Sequence, residues 1–379
     1  MAKDAQQLVQ PSTFVGDANL PSVAGLLQGS DQAVRQILSE GESPNTRRSY
    51  QSALKYMAGW HQVRYGTDLV LPMSAGTVMQ FIVDHTARLN ENGKTLKWEL
   101  PRDADDLMVK AGLKAKRGSL TLNTVKHRLA VLSSVHRLHN LSNPCHDEQV
   151  KRLVKSAQRA ALKRGETPHK KTAATRDVLE AMLSTCDDSL VGHRDRALLL
   201  FAWASGGRRR SEVATAMVQQ LQKDGENYIF NLHATKTNKT GKIGIGKPVQ
   251  GMAAEALRVW LKRAGVRDGP IFRRIIKRWK RDDRVGDALS AHSVALIVKR
   301  RAALAGLQNE GDWGAHSLRS GFITEAGKRN IPIGDIMGMT EHRKVDTLMG
   351  YYNAGQLGKS PVADLLSSSD PKPSSGSHT

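Results

Sequence analysis

Along most of this chain, apolar positions recur at the three- and four-residue spacing that one face of an α-helix requires. The pattern begins near Gln32 and strengthens at Ser43-Pro44, an N-cap followed by proline at the first helical position. The stripe Tyr50, Leu54, Met57 and Trp60 then predicts a helix, and a second fits 75–90. Residues 91–118, rich in glycine and charge, read as an insertion or long connection. Thr121 caps a further helix to about 140, with Val125, Leu129, Leu132 and Val135 on its buried side and Lys126, Ser133 and Arg137 on a polar flank. A basic helix spans 147–163.

The segment Lys163 to Thr172 is polar, basic and broken by Gly165 and Pro168, as a linker would be. Helices are predicted beyond it at about 175–186 and 193–205. Tyr228-Ile-Phe-Asn-Leu232 alternates like a strand, and a Lys/Thr/Asn/Gly turn joins it to a second strand, Lys242 to Lys247, as a hairpin. Helical pattern returns at about 251–264, 291–305, 317–329, 332–338 and 344–352. No internal repeat is visible. The expected fold is mainly α with a small β component in the second of two domains. The expected divisions are a flexible arm over 1–30, a helical domain over 31–162, a linker over 163–172, an α+β domain over 173–355, a short helix over 356–366 and a disordered Ser/Pro/Gly tail over 367–379.

Composition adds a partner to this outline. The 379 residues carry 57 Lys+Arg against 36 Asp+Glu, a formal net charge of +21, while 39% of the chain is hydrophobic. A foldable protein so basic has a polyanionic partner, with nucleic acid ahead of an anionic membrane surface. No amphipathic Lys/Trp helix with a broad apolar face speaks for the membrane. No apolar run approaches the roughly 18 residues a span needs, and Met1 to Gln10 lacks the layout of a signal peptide, so a protein that stays in the cytoplasm is expected. Cys145 and Cys186 make no disulfide framework, no Cys/His cluster has zinc-ligand spacing, and each cysteine reads as a small buried filler.

Three clusters carry candidate chemistry. In Ser205-Gly-Gly-Arg-Arg-Arg-Ser-Glu212 a helix ends in glycines, which admit a sharp turn and a close phosphate, and three arginines follow at a helix start, where an anion would offset the dipole. Glu212 is placed to orient one of them. The competing reading is a solvated arginine run. In Ala315-His-Ser-Leu-Arg-Ser-Gly321, His316 and Arg319 share a helix face and suit a phosphate oxygen and a proton, although a helical histidine is more often structural. In the third, Thr340-Glu-His342 precedes Tyr351 by nine residues. A tyrosine hydroxyl, with its pKa near 10, becomes a nucleophile where cations stabilise the phenolate; otherwise it is a buried helix tyrosine.

In this order, Arg209, a hairpin lysine, His316-x-x-Arg319, His342 and Tyr351, the chain resembles the tyrosine recombinase and phage integrase family over most of 43–366. The family's Gly-x-Arg-x-Ser-Glu pattern falls on Gly207 to Glu212, which assigns the first arginine to Arg209 and the supporting carboxylate to Glu212. The hairpin lysine falls on Lys236, with Lys239 and Lys242 nearby. Tyr352 adjoins Tyr351, but helix neighbours point about 100° apart, so only one can face a phosphate. Arg208 and Arg210 read as DNA-facing or solvated. Thr124 to Arg137 and Met349-Gly-Tyr-Tyr-Asn353 are similar to Cre-type site-specific recombinases, from which the long 91–118 segment departs.

The resemblance implies a two-domain DNA clamp: a core-binding (SAM-like) DNA-binding domain at 31–162, the catalytic domain at 173–355, and a helix at 356–366, holding Val362, Leu365 and Leu366, that docks on a neighbouring protomer of a homotetramer joining two DNA sites. It implies that Tyr351 attacks a DNA phosphate in line, that Arg209, Arg319 and His342 stabilise the charge that develops, that His316 donates to the phosphate or helps deprotonate the tyrosine, and that Lys236 protonates the leaving 5′ oxygen. A 3′-phosphotyrosyl intermediate and a Holliday junction follow. Each step exchanges one ester for another and the cations are side chains, so the resemblance implies no ATP, no cofactor and no catalytic metal. With a nucleic-acid partner in a prokaryote or phage context, the resemblance also implies a cytoplasmic protein associated with the nucleoid. Arg47, Arg48, Lys126, Arg137, Lys170, Lys171, Arg273, Arg274 and Lys277 are candidate DNA contacts, each with an ordinary surface cation as the alternative. A non-catalytic DNA-binding regulator and a type IB topoisomerase-like enzyme are the rival readings. Target sequence and accessory proteins are not legible.

Overall fold

The computed structural model describes residues 44–90, 92–93, 96–166, 171–232, 246–277, 283–307 and 312–357. The chain divides into two compact units, Met1–Pro168 and His169–Thr379.

The first unit is built from α1 (Pro44–Tyr65), α2 (Ala75–His85), α3 (Arg102–Lys110), α4 (Leu122–Leu138) and α5 (Glu148–Lys163), with a two-residue antiparallel pair, β1 (Arg88–Leu89) and β2 (Leu96–Lys97). Local chemistry sets the helix starts. Ser74 accepts from Thr77 N–H at 3.0 Å, Thr121 from Thr124 N–H at 3.3 Å, and Asp147 from Gln149 N–H at 2.8 Å. The core joins Tyr56, Met57 and Trp60 of α1 to Phe81, Met108, Val125 and Leu132. Inside it, Asp84 accepts from Trp60 Nε1 at 2.9 Å and Gln80 Nε2 at 2.7 Å. Residues 91–118, read as an insertion or long connection, contribute to the core of the first unit where they are described. They contain α3, whose Ala104 and Met108 are buried, and Lys114 is buried in an ion pair with Asp105 at 2.5 Å. The dense acidic positions of α3 hide a short apolar face.

The second unit is assembled around α7 (Leu190–Ala204), where Ala197 to Ala202 are buried without a break. Around it lie α6 (Arg176–Ser184), α8 (Arg210–Ala214), α9 (Met252–Arg263), α10 (Ala291–Leu304), α11 (Ala315–Lys328), α12 (Ile333–Thr340) and α13 (Val345–Gln356). A three-stranded antiparallel sheet runs β3 (Leu221–Asp224), β4 (Asn227–Phe230), β5 (Lys247–Val249), in the register Leu221↔Phe230 and Tyr228↔Val249. The hairpin's second strand is thus described at Lys247–Val249, and 233–245, with Lys236, Lys239 and Lys242, lies outside the described residues. A second hairpin, β6 (Arg273–Ile276) with β7 (Arg284–Ala288), has no clear alternation in the sequence and is bulged between Arg273 and Ile275. Asp195 is buried between Arg194 at 2.7 Å and Arg301 at 2.8 Å.

Helices α11, α12 and α13 share their own apolar cluster of Ile323, Ala326, Ile336, Leu348 and Tyr352. Glycine lets α11 and α13 close on each other: a Cβ on Gly327 would run into Tyr352 O, and one on Gly355 into Thr324 O. Thr324 Oγ1 also donates to Tyr351 O at 3.2 Å. The helix carrying His316 and Arg319 is thereby held against the helix carrying Tyr351.

Candidate active site

The site grows from the end of α7. Gly206 and Gly207 turn the chain at φ 96° and 66°, and a Cβ on Gly207 would press on the backbone of Arg319. Arg208 and Arg209 follow and diverge. Arg209 stands at the cap position of α8, half-exposed, with Nη1 donating to Glu212 Oε1 at 2.5 Å and its backbone N–H to Oε2 at 3.1 Å. Arg208, read as DNA-facing or solvated, is completely buried instead; it lies 3.6 Å from Glu212 Oε2 and donates to Met339 O. Three arginines in a row look alike in sequence; the tight glycine turn and the distant carbonyl of Met339 set which one points inward. Arg210 is exposed.

From α11, Arg319 Nη1 donates to Gly207 O at 3.0 Å, and Nη2 donates to Thr340 O and lies 3.2 Å from His342 Nδ1. His342 Nδ1 also lies 2.8 Å from Thr340 Oγ1. On the outer turn of α11, His316 Nε2 lies 3.1 Å from Tyr351 OH. Tyr352 is buried, 8% exposed, within the apolar cluster, whereas Tyr351 is half-buried against that cluster and carries its hydroxyl to His316. Arg209, Glu212, His316, Arg319, His342 and Tyr351 therefore converge from α8, α11, α13 and the turn after α12. Lys236 lies outside the described residues.

The site is strongly cationic. Arg208, Arg209 and Arg319 meet here, with Glu212 beside Arg208 and Arg209 and Glu341 also acting on Arg208 and Arg319. Burial, then Arg209 and Arg208, push the Arg319 guanidinium down to about 10, still cationic at neutral pH. Burial first, then Arg319, Arg209, His316 and Arg208, push His342 down to about 4. Burial, Arg319 and Arg209 lower His316 as well. Both imidazoles are thus neutral near pH 7, and an anion placed among these cations would raise them.

The expected DNA contacts fare unevenly. Arg47, Arg48, Lys126, Arg137, Arg274 and Lys277 are exposed. Of these, Lys126 donates to Gln158 at 3.2 Å, Arg137 to Ser134 at 3.2 Å, and Arg274 pairs with Asp287 at 2.5 Å. Arg273 is half-buried and donates to Asp268 O at 2.7 Å and Pro270 O at 3.1 Å, a commitment to its own turn. Lys170 lies outside the described residues. Lys171 borders the cleft that holds Arg209, His316 and Arg319, and so do His292 and Lys299, which sequence reasoning missed. Their spacing of seven on α10, two helical turns, is the signal that points them to one face. Among the described residues no cluster of His, Cys, Asp and Glu is arranged to hold a metal ion.

Residues 173–356 match the phage integrase family. Over 336 residues the chain is 29% identical to an integrase/recombinase XerD homolog of Selenomonas ruminantium, covering 86% of each chain. It is 25% identical to a tyrosine recombinase of Synechocystis sp. over 92% of this chain and 98% of that one. In fold it is similar to the Tn1549 transposon integrase solved in complex with transposon right end DNA, with a TM-score of 0.52 and 12% identity over 90% of this chain and 99% of the other. It is similar also to a lambda integrase dimer bound to a core site, with a TM-score of 0.51 and 16% identity over 86% and 94%.

Proposed function

The chain belongs to the tyrosine recombinase family and is a DNA recombinase/integrase; from that premise we propose that it is a site-specific recombinase whose nucleophile is Tyr351. The observation that carries this reading is the contact of Tyr351 OH with His316 Nε2 at 3.1 Å, beside a cleft lined by Arg208, Arg209 and Arg319. A DNA phosphate is the anion that fits. Neutral His316 accepts the phenol proton as Tyr351 attacks phosphorus in line. Arg209, held by Glu212, and Arg319, held by Gly207 O and Thr340 O, bind the equatorial oxygens where charge develops, and His342 joins them. Lys236 protonates the departing 5′ oxygen. The phosphorus–5′-oxygen bond breaks as the phosphorus–tyrosine bond forms, leaving a 3′-phosphotyrosine and a free 5′ hydroxyl. A 5′ hydroxyl from a partner duplex reverses the step and yields a Holliday junction. On this reading 31–162 binds the core site, 173–355 carries the chemistry, and 356–366 links protomers of a tetramer on two duplexes.

The test mixes purified wild type and Tyr351→Phe, with EDTA present, with randomly nicked genomic fragments of the organism that encodes the chain. The reading predicts SDS-resistant protein–DNA adducts with wild type alone, and junction intermediates at the site those adducts define. Equal adducts from both proteins, or none from either while both bind DNA, would overturn it.

A further inference from the structure

The last four carbonyls of an α-helix have no partner within the helix and are ordinarily met by following backbone or by water. At the end of α12, Glu341 N–H takes Met337 O at 2.8 Å. Each of the next three carbonyls receives a cation from a different element. Lys247 Nζ of β5 reaches Gly338 O at 2.7 Å, Arg208 Nη2 reaches Met339 O, and Arg319 Nη2 of α11 reaches Thr340 O. The three residues are 3%, 0% and 3% exposed. Taking three cations out of water costs more than capping one eight-residue helix returns, so helix stability does not account for them.

The residue that follows is equally unusual. Glu341 holds left-handed backbone, φ 58 and ψ 36, where glycine is the undemanding choice. Its Oε1 lies 3.8 Å from Lys247 Nζ, and its buried Oε2 has no hydrogen-bond partner. Arg208 Nε is likewise buried without a hydrogen-bond partner. Gly206 packs so closely on Met339 O that a Cβ would collide with it. The whole arrangement ends one residue before His342 and four before α13 begins.

We infer that Arg208, Lys247 and Glu341 are positioning residues, a buried clamp on the end of α12 that holds His342 against Arg319 and sets where the tyrosine helix starts. The inference rests on reading the site as one that cleaves DNA strands. Because Arg319 Nη2 touches both Thr340 O and the His342 ring, any slip of the α12 terminus moves the histidine off the guanidinium and carries the turn into α13 with it.

The test uses the full chain with Lys247→Met, Glu341→Gly and Lys247→Arg, and two readouts. In DNA-free protein, imidazole NMR follows the titration of His342, held at about 4 in the wild type by burial first and then by Arg319, Arg209, His316 and Arg208. The clamp predicts an upward move toward 6.5 in Lys247→Met and Glu341→Gly, and partial restoration in Lys247→Arg. Adduct formation on the nicked fragments should slow by roughly tenfold to a hundredfold in the same two variants, while retention on duplex DNA is unchanged. Glycine relieves the backbone at 341, so Glu341→Gly carries the test alone should Lys247→Met not fold. An unmoved titration overturns the clamp, and so does a moved titration with unimpaired cleavage. If the wild type forms no adduct, the strand-cleavage reading fails, while the titration still judges the clamp.

Discussion

At the scale of single residues, the different surroundings of Tyr351 and Tyr352 are set by which way a helix turns. Tyr351 OH meets His316 Nε2 at 3.1 Å, whereas the Tyr352 ring packs with Ile323, Ile336 and Leu348. Tyr351→Phe should therefore abolish covalent capture and leave DNA retention and thermal stability intact. Tyr352→Phe should retain capture. His316 supplies a pH signature. Burial, Arg319 and Arg209 hold its imidazole below the ordinary 6.5, so the base form is already present at neutrality. Single-turnover cleavage at subsaturating DNA should rise with pH below about 6.5 and be flat above it; an acid limb centred above 7 would contradict the assignment. His316→Gln should lose roughly a hundredfold or more in rate, the usual worth of a positioned general base. The candidate set was legible through resemblance, because Arg209, Glu212, His316, Arg319, His342 and Tyr351 stand in the family's order and register, whereas each cluster alone also admits an ordinary structural reading. The direction of Arg208 was not legible, since burial of one arginine among three depends on Met339 O, 131 residues away.

At the scale of elements, the site depends on how closely α11 and α13 approach. Gly327→Ala would force a methyl into the backbone of Tyr352, separating the helix of His316 and Arg319 from that of Tyr351. The expected result is a loss of about 1–3 kcal/mol of stability in the second unit, as for overpacking elsewhere, with slower cleavage and unchanged DNA retention. Denaturant melts with a cleavage assay on the same preparation check both. The long helices were readable because their apolar stripes repeat over several turns. Short elements were not. The face of α3 rests on Ala104 and Met108 among aspartates and lysine, and β6 carries Arg273-Arg274-Ile275-Ile276, which pairs with β7 as a hairpin although neither strand alternates apolar and polar residues.

At the scale of the whole molecule, a formal charge of +21 makes affinity for DNA a matter of counterion release. Log affinity should fall linearly with log salt, with a slope of about one for each phosphate neutralised; a salt-independent affinity would contradict a phosphate-binding surface. The first unit should show its own acid sensitivity. His85 is fully buried, its Nδ1 donates to Phe81 O at 2.8 Å, and its Nε2 has no partner, so burial drives it down to about 3. A histidine kept neutral by the fold contributes its full stability above about 6.5 and loses it as pH falls toward 3, by up to about 5 kcal/mol. His85→Phe should flatten that dependence in melts of the full chain. No described helix is long and apolar enough to cross a membrane. The central claim is that one named oxygen forms the bond to DNA. The most direct measurement digests the SDS-resistant adduct with nuclease and protease and locates the residual nucleotide by mass spectrometry. A nucleotide on Tyr351 is the predicted result; a nucleotide on Tyr352, or on any serine or histidine, would contradict the account.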